Sequence, residues 1–401
     1  MTDLFTAAEL AEIEAYHFPH YLWGAVGDAV NLGVFALVLR FLVHPLYRWC
    51  EYAAATMGQR LSFLLRMPFL RVVPSVLEKL WGGPGWGAAV CFAAADCLLV
   101  ALLFLPLDVY FDYLHEHRYG LSRYTPAGFA LDHFKSVVLI LAPTTALAFG
   151  LFGLARRTRH WWMLLGGAGA AVLLVSASLD PFRARAFFEQ TPLPSGRLSE
   201  KISALMVKAG IEVRAVVVEK TSRASARVQA YFAGMGPTRT IVLNDRLLEE
   251  LSEEEILAAV AHEAGHVHQS RWPSYLGSAV ALGAFLFLVN RMFVLAAARG
   301  WFGTTRFADI RTLPLITLMF YLASGAAQPV SAAFSRERER AADLYALRLT
   351  RDPDSFRRML VKAARINKTD PDPPRWVVLK SHSHPSILER IAAVDRGDWK
   401  L

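Results

Sequence analysis

The chain has 401 residues, of which 54% are hydrophobic and only 19% are charged, and its mean hydropathy is +0.31. These values exclude an ordinary soluble domain and indicate an integral membrane protein. The formal net charge of +8 does not indicate nucleic-acid binding, because the basic residues are scattered in short segments beside apolar runs, where they favour contact with the membrane surface. The three cysteines predict neither a disulfide framework nor a cysteine metal site.

Apolar stretches long enough to cross a bilayer recur along the chain. An N-terminal membrane region, residues 1–180, is expected to hold four of them, at about 22–43, 86–107, 136–154 and 161–178. Residues 60–77 are apolar but contain three arginines and two prolines, so we expect this segment to lie on the membrane surface. Two more spans are expected within residues 274–330, at about 275–297 and 313–330. The sequence therefore predicts six spans.

The other two regions, residues 181–273 and 331–401, have the composition of a soluble domain. Leu198 to Ala209 is predicted to be a helix, and the β-branched runs Val213 to Val218 and Thr240 to Leu243 are predicted to be strands. The predicted fold class is a mainly α integral membrane protein with a small α+β domain that is interrupted by two membrane crossings.

A helix is predicted to begin at Ser252, because Ser252 and Glu255 form a capping box before an apolar stripe, and Trp272-Pro273 marks a break after it. It contains the pattern His-Glu-x-x-His. His262 and His266 are four residues apart, so both imidazoles can face one metal ion. Glu263 is offset around the helix and can reach a water molecule on that metal. A purely structural role for this segment stays open at this point.

A zinc site of this kind needs a third protein ligand. Downstream, Glu339 and Asp343 are four residues apart on a predicted helix, which places two carboxylates on one face. We predict that Glu339 is the third ligand. Asp343 is predicted to accept the second ring N–H of a ligand histidine and so to fix its tautomer.

Together, these ligands and the membrane segments resemble the type I CAAX prenyl endopeptidases, a family of integral-membrane zinc metalloproteases. The segment Pro106 to Lys135 is similar to a loop signature of that family. Gln229, Ala230, Tyr231 and Phe232 are similar to its Asn-Ala-Tyr-Phe strand, with Gln229 where asparagine is usual. Ser383 to Arg390 resembles its Ser-His-Pro element.

The resemblance implies a gluzincin-type zinc protease with seven spans and one zinc ion per chain. It implies that the strand from Gln229 to Phe232 holds extended substrate. It further implies that His384 and Arg390 bind substrate or stabilise the oxyanion. The residues leave open whether Arg390 serves the oxyanion or a substrate carboxylate.

The expected partners are the lipid bilayer and a peptide or protein substrate, either lipidated or membrane-bound, with no nucleic acid. The composition suggests a bacterial inner membrane. The resemblance places the protease domain in the cytoplasm, whereas the positive charges of the short loops favour the opposite orientation.

One alternative to a CAAX prenyl protease is a broad quality-control protease for membrane proteins. Another is a non-enzymatic transporter or scaffold, which would use polar residues within spans such as Asp28 and Asp96.

Overall fold

The computed structural model describes residues 4–61, 68–81, 83, 85–169, 171, 187–234, 236–301 and 306–400. We label its α-helices in chain order, with these bounds: α1 Ala7–Leu37, α2 Val43–Leu61, α3 Pro68–Trp81, α4 Trp86–Asp108, α5 Glu116–Arg118, α6 Pro126–Ala155, α7 Arg197–Ala209, α8 Asp245–Glu250, α9 Glu253–His268, α10 Trp272–Arg299, α11 Leu313–Thr350, α12 Pro353–Asn367, α13 Arg375–Lys380 and α14 Ile387–Arg396. Two π-helical segments, Val38–Leu42 and Val109–His115, continue α1 and α4.

Within the described residues, five helical stretches are long and apolar enough to cross a membrane. They are Ala7–Met57, Trp86–Arg118, Pro126–Ala155, Trp272–Arg299 and Ile310–Thr350. Many of their apolar side chains are exposed, Leu102 and Val280 among them, as lipid contact requires. The chain is therefore a multi-pass membrane protein.

In the part of the chain that the structure describes, the count is thus five, which differs from the predicted six spans and from the seven that the resemblance implies. Five of the six predicted spans lie within the stretches just named. The remaining one, at 161–178, is helical at 161–169, but most of its second half lies outside the described residues. The predicted surface segment 60–77 also lies partly outside the described residues, and its second half belongs to α3.

The small sheet has four strands, β1 Gln190–Pro192, β2 Ala215–Glu219, β3 Ala230–Ala233 and β4 Thr240–Asn244. Their order is β1-β2-β4-β3. β2 and β4 are parallel, and each is flanked by an antiparallel partner. The β-branched run predicted as a strand at 240–243 is β4, and all of its residues are buried. β3 lies at the edge of the sheet with one strand neighbour.

Two apolar cores hold the described elements together. The first packs the sheet against α7, α9 and α12, and its fully buried side chains include Ile202, Leu243, Val260 and Phe356. The second joins the membrane helices through large aromatic residues, among them Trp81, Phe152, Trp161 and Phe293. α11 belongs to both regions. At about 1.5 Å per residue, its 38 residues exceed the bilayer core of about 30 Å, so its second half projects beyond the membrane.

Candidate metal centre and catalytic cleft

Helix α9 carries the predicted metal-binding pattern. It begins with the predicted capping box: the backbone N–H of Glu255 donates to Ser252 Oγ at 3.3 Å, and that of Ser252 donates to Glu255 Oε2 at 2.9 Å. One face of the helix is fully buried in the first core through Val260, Ala261 and Ala264. This packing fixes the rotation of the helix, so His262 and His266 both face α11.

Helices α9 and α11 cross closely at Gly265. A Cβ atom at this position would lie 2.8 Å from the Cα and 3.0 Å from the carbonyl oxygen of Ala342. Only a glycine therefore allows the two backbones to approach this far. The crossing brings Glu339 and Asp343 of α11 against the two histidines of α9.

The predicted ligands meet in this crossing. His262 Nε2 lies 3.2 Å from Glu339 Oε2, and His266 Nε2 lies 3.2 Å from Glu339 Oε1. Donor atoms around a tetrahedral zinc ion, with bonds of about 2.0–2.1 Å, are separated by about 3.3 Å. One donor atom each from His262, Glu263 and His266 also lie within 4.8 Å of one another. Glu339 contacts both imidazoles, so its position is consistent with its predicted role as third ligand, and Glu263 lies close to the same group.

The electrostatics of the site also suit a cation. Glu339 Oε2 is buried and accepts no well-aligned hydrogen bond. Burial lowers the pKa of His262, but the carboxylates of Asp343 and Glu339 outweigh this effect and raise the pKa to about 9. A metal cation at Nε2 would take the place of the proton that these carboxylates attract. Two imidazoles and a carboxylate thus fit a divalent metal ion.

Asp343 and Arg390 form a buried pair behind the ligands. Asp343 Oδ1 lies 2.8 Å from His262 Nδ1. Arg390 donates two hydrogen bonds to the same carboxylate, from Nε at 2.8 Å and from Nη2 at 2.6 Å. Asp343 thus lies beside Nδ1 of His262, as predicted from the helix spacing, although this nitrogen makes no well-aligned hydrogen bond there. Arg390 lines the cleft, but much of its guanidinium is engaged by Asp343.

A cleft of about 740 Å³ opens beside the centre. Glu263 and His384 both line it, and Nδ1 of His384 lies 2.9 Å from Glu339 Oε2. His384 is 60% exposed in its side chain, so it can meet a ligand in the cleft. Burial raises the pKa of Glu263, although the nearby histidines oppose the shift. A carboxylate with a raised pKa suits general-base catalysis.

The predicted substrate strand also borders the cleft. Gln229, Ala230 and Tyr231 line it, whereas Phe232 packs partly buried against the first core. Tyr231 donates a hydrogen bond of 3.1 Å from its hydroxyl to Glu219. Three of the four predicted strand residues therefore reach the cleft.

Two contributors to the site did not emerge from the sequence. Gln269 lies 3.4 Å from His266 Nδ1 and is held in turn by Arg338, whose Nε donates to it at 2.8 Å. Arg227 lines the far end of the cleft and donates to Glu116 Oε2 at 2.8 Å. Gln269 lies three residues after His266, a spacing that could have indicated the contact. The pairing of Arg227 with Glu116 had no sequence signal.

Comparison with known proteins adds family relationships to this geometry. The model of peptidase family M48 matches residues 192–397, and that of the CAAX prenyl protease N-terminal region, described as five membrane helices, matches residues 4–188. The chain is 30% identical over 327 residues to the uncharacterized metalloprotease YhfN of Bacillus subtilis, covering 77% of this chain and 74% of that one. It is 26% identical over 397 residues to CAAX prenyl protease 1 of Saccharomyces cerevisiae, covering 92% of this chain and 82% of that one.

A solved structure shares the fold. The crystal structure of S. mikatae Ste24p matches with a TM-score of 0.67 and 20% sequence identity, covering 97% of this chain and 99% of that one. These matches confirm the resemblance, and they do not favour the transporter or scaffold alternative. The chain belongs to peptidase family M48 and is a multi-pass membrane metalloprotease.

Proposed function

We propose that this protein is a zinc endopeptidase that binds one zinc ion through His262, His266 and Glu339. The observation that carries the proposal is that Nε2 of His262 and Nε2 of His266 each lie 3.2 Å from a carboxylate oxygen of Glu339, beside a cleft that also holds Glu263. Nitrogen and carboxylate donors in this number are typical of catalytic zinc, which keeps a fourth position open. Residues 181–273 and 331–401 would together form the protease domain around this centre.

The proposed reaction is hydrolysis of a peptide bond. The zinc ion, when bound, would lower the pKa of a water molecule and polarise the scissile carbonyl group. Glu263 would take the proton from the attacking water at its carboxylate and later pass it to the leaving amine. His384, at the mouth of the cleft, would donate a hydrogen bond to the carbonyl oxygen as negative charge develops there. Other oxyanion donors contribute about 3 kcal/mol to such a transition state.

The other predicted residues would bind and orient. Extended substrate would add as a strand to the open edge of β3, near Ala230. Asp343 would hold His262 with its Nε2 toward the metal. Arg390 would act mainly by holding Asp343, because its two short hydrogen bonds already engage that carboxylate.

The substrate class proposed here is a peptide or protein at the membrane with a prenylated cysteine near its C-terminus. Support comes from the similarity over most of the chain to relatives named CAAX prenyl proteases. The membrane-capable helices that adjoin the centre, above all α11, would bring a lipidated substrate close to the metal.

A paired cleavage assay tests both parts of the proposal. The detergent-purified protein is given two matched fluorogenic peptides, one farnesylated and one unmodified, and Glu263→Gln serves as the blank. We expect zinc to remain bound in the variant, while kcat falls at least about a hundredfold. Cleavage of the farnesylated peptide alone would establish the lipid requirement. Equal cleavage of both would favour a broad membrane-protein protease, and no cleavage above the blank would refute the endopeptidase.

A further inference from the structure

The chain that leads into β3, residues 224–229, continues the edge of the sheet, and part of its outer side is covered by other segments. Asn244 of β4 bonds to the odd-numbered residues just before β3: its side chain accepts the N–H of Gln229 at 3.0 Å and donates to the carbonyl of Arg227 at 2.7 Å. Its backbone N–H donates to the carbonyl of Gln229 at 3.1 Å. Because neighbouring residues of a strand direct their backbone groups to opposite edges, the even-numbered residues face away from β4.

The first part of that outer edge is covered by the loop between α5 and α6. Ser122 and Ser225 form an antiparallel bridge. The N–H of Arg123 donates to the carbonyl of Ala224 at 2.9 Å, and the N–H of Ala226 donates to the carbonyl of Leu121 at 2.8 Å. The loop thus takes the position of an added strand as far as Ala226.

The next outward-facing residue is Val228, and one side chain satisfies both of its backbone groups. The N–H of Val228 donates to Asn367 Oδ1 at 2.8 Å, and Asn367 Nδ2 donates to the carbonyl of Val228 at 3.0 Å. A primary amide can make this double contact because it carries an acceptor and a donor side by side. The side chain of Asn367 therefore makes the two hydrogen bonds with Val228 that one residue of an added strand would make.

Asn367 is itself held firmly. It is the last residue of α12, which ends where Lys368 adopts φ +54°. Arg227 donates to the carbonyl of Asn367 at 3.0 Å from one guanidinium nitrogen, and its other terminal nitrogen donates to Glu116. A substrate that displaced the amide would have to break this bonded arrangement.

We propose that Asn367, together with the Leu121–Arg123 loop, ends the substrate-binding edge at Val228 and thereby limits how far a peptide extends on one side of the cleaved bond. Strand pairing starts at Ala230, the first outward-facing residue that neither segment covers. A bound chain must end or turn away beside Val228. Asn367 is thus a specificity-determining residue for chain length. The inference rests on the proposed peptidase function and on substrate addition to β3.

The test uses two series of peptides built from one that the protein cleaves. One series is lengthened a residue at a time at the N-terminus and the other at the C-terminus, and kcat/KM is measured for each peptide. For the wild-type protein we expect kcat/KM to fall beyond a certain length in one series only. In Asn367→Ala the ratio of long-peptide to short-peptide kcat/KM should rise about tenfold in that series, with the short peptides little changed.

Arg365→Ala is the matched control. Arg365 lies on the same helix and ties α12 to the N-terminal segment through Leu4 and Glu9, but it does not touch the strand edge. Its length profile should match that of the wild-type protein. If Asn367→Ala does not fold, Asn367→Asp is used instead, because a carboxylate of the same shape keeps the acceptor for the Val228 N–H but replaces the donor with a charged oxygen that repels the Val228 carbonyl. The same rise in the ratio is then expected.

The outcomes separate the inference from the proposed function. If the wild-type protein cleaves no peptide of any length, the peptidase proposal fails. If it cleaves without a length limit in either series, or if the Asn367 variant lowers kcat/KM equally for all lengths, Asn367 only supports the fold and the inference is overturned.

Discussion

The carboxylate of Asp343 lies 2.8 Å from Nδ1 of His262, on the side of the ring opposite to Glu339. An imidazole that donates Nδ1–H to a carboxylate keeps the lone pair of Nε2 for a metal ion. Asp343 also accepts two hydrogen bonds from Arg390. The same carboxylate therefore affects both metal binding, through His262, and the stability of the protein, through Arg390.

Asp343→Asn should weaken metal binding without abolishing the fold. The amide keeps the shape of the side chain but loses the charge that stabilises the metal-binding tautomer of His262. We expect zinc affinity to fall about 10–100-fold, measured by equilibrium dialysis against buffered zinc. Glu337→Gln, which removes an exposed carboxylate of the same helix, should bind zinc as the wild-type protein does. Equal affinity in both variants would contradict the role of Asp343.

Arg390→Ala should strongly destabilise the protein. The side chains of Arg390 and Asp343 are only 11% and 9% exposed, and removing one partner of such a pair leaves a buried charge at a cost of about 3–5 kcal/mol. Chemical denaturation in detergent measures the loss. Arg390→Lys keeps the charge and should lose less. An unchanged denaturation midpoint with a raised KM would instead support the predicted contact of Arg390 with substrate.

The parts of the site that the sequence predicted are those set by spacing on one helix. His262 and His266 share one face of a capped helix, with Glu263 offset from them, and Glu339 and Asp343 share one face of another helix, so helical geometry alone predicted these positions. The structure adds that the two faces meet. Their meeting depends on the crossing at Gly265, which is a contact between distant segments and leaves no periodic signal.

For the membrane segments, too, the sequence predicted the separate elements better than the way in which they are joined. Hydropathy located five of the apolar stretches, because each contains about 20 apolar residues. It did not show that α1 and α2 continue as one long helix. It did place the last span directly before the Glu339 helix, and in the structure α11 includes both. The pairing of Asn367 with Val228 could not be predicted either, because nothing near Asn367 in the sequence indicates this contact.

Gly265→Ala should disturb the metal centre by separating the two helices that carry its predicted ligands. The added methyl group would lie 2.8 Å from Cα of Ala342. Because this is a backbone atom, the clash can be relieved only if α9 moves away from α11. We expect a loss of about 1–3 kcal/mol of stability together with weaker zinc binding, since Glu339 moves away from the histidines. Denaturation and zinc titration measure the two effects.

The matched control for this substitution is Gly277→Ala. Gly277 lies within helix α10, and a Cβ atom there meets nothing within 4 Å. Alanine should therefore be neutral or stabilise the helix by up to about 1 kcal/mol. Similar losses in both variants would show that the close crossing at Gly265 is not what matters.

Glu255→Gln should change how stability depends on pH. Burial raises the pKa of Glu255, but hydrogen bonds from Lys362 and from the Ser252 backbone outweigh it, so the pKa falls below its ordinary value of 4.5. Because the folded-state pKa is lowered, the ionised group stabilises the fold above pH 4.5, and this contribution is lost as the pH falls through the folded-state pKa. Glutamine keeps the capping box with Ser252 but removes the charge that Lys362 contacts at 2.8 Å.

The free energy of unfolding, measured in detergent across pH 3–7, distinguishes these contributions. Glu255→Gln should be less stable than the wild-type protein at neutral pH, and the difference should shrink as the pH drops below about 4.5. Glu254→Gln is the control, because Glu254 lies in the first turn of the same helix with its side chain half exposed, where an ion pair contributes little. A constant difference for Glu255→Gln at every pH would mean that the substitution acts through packing and that the buried charge pair with Lys362 adds no stability.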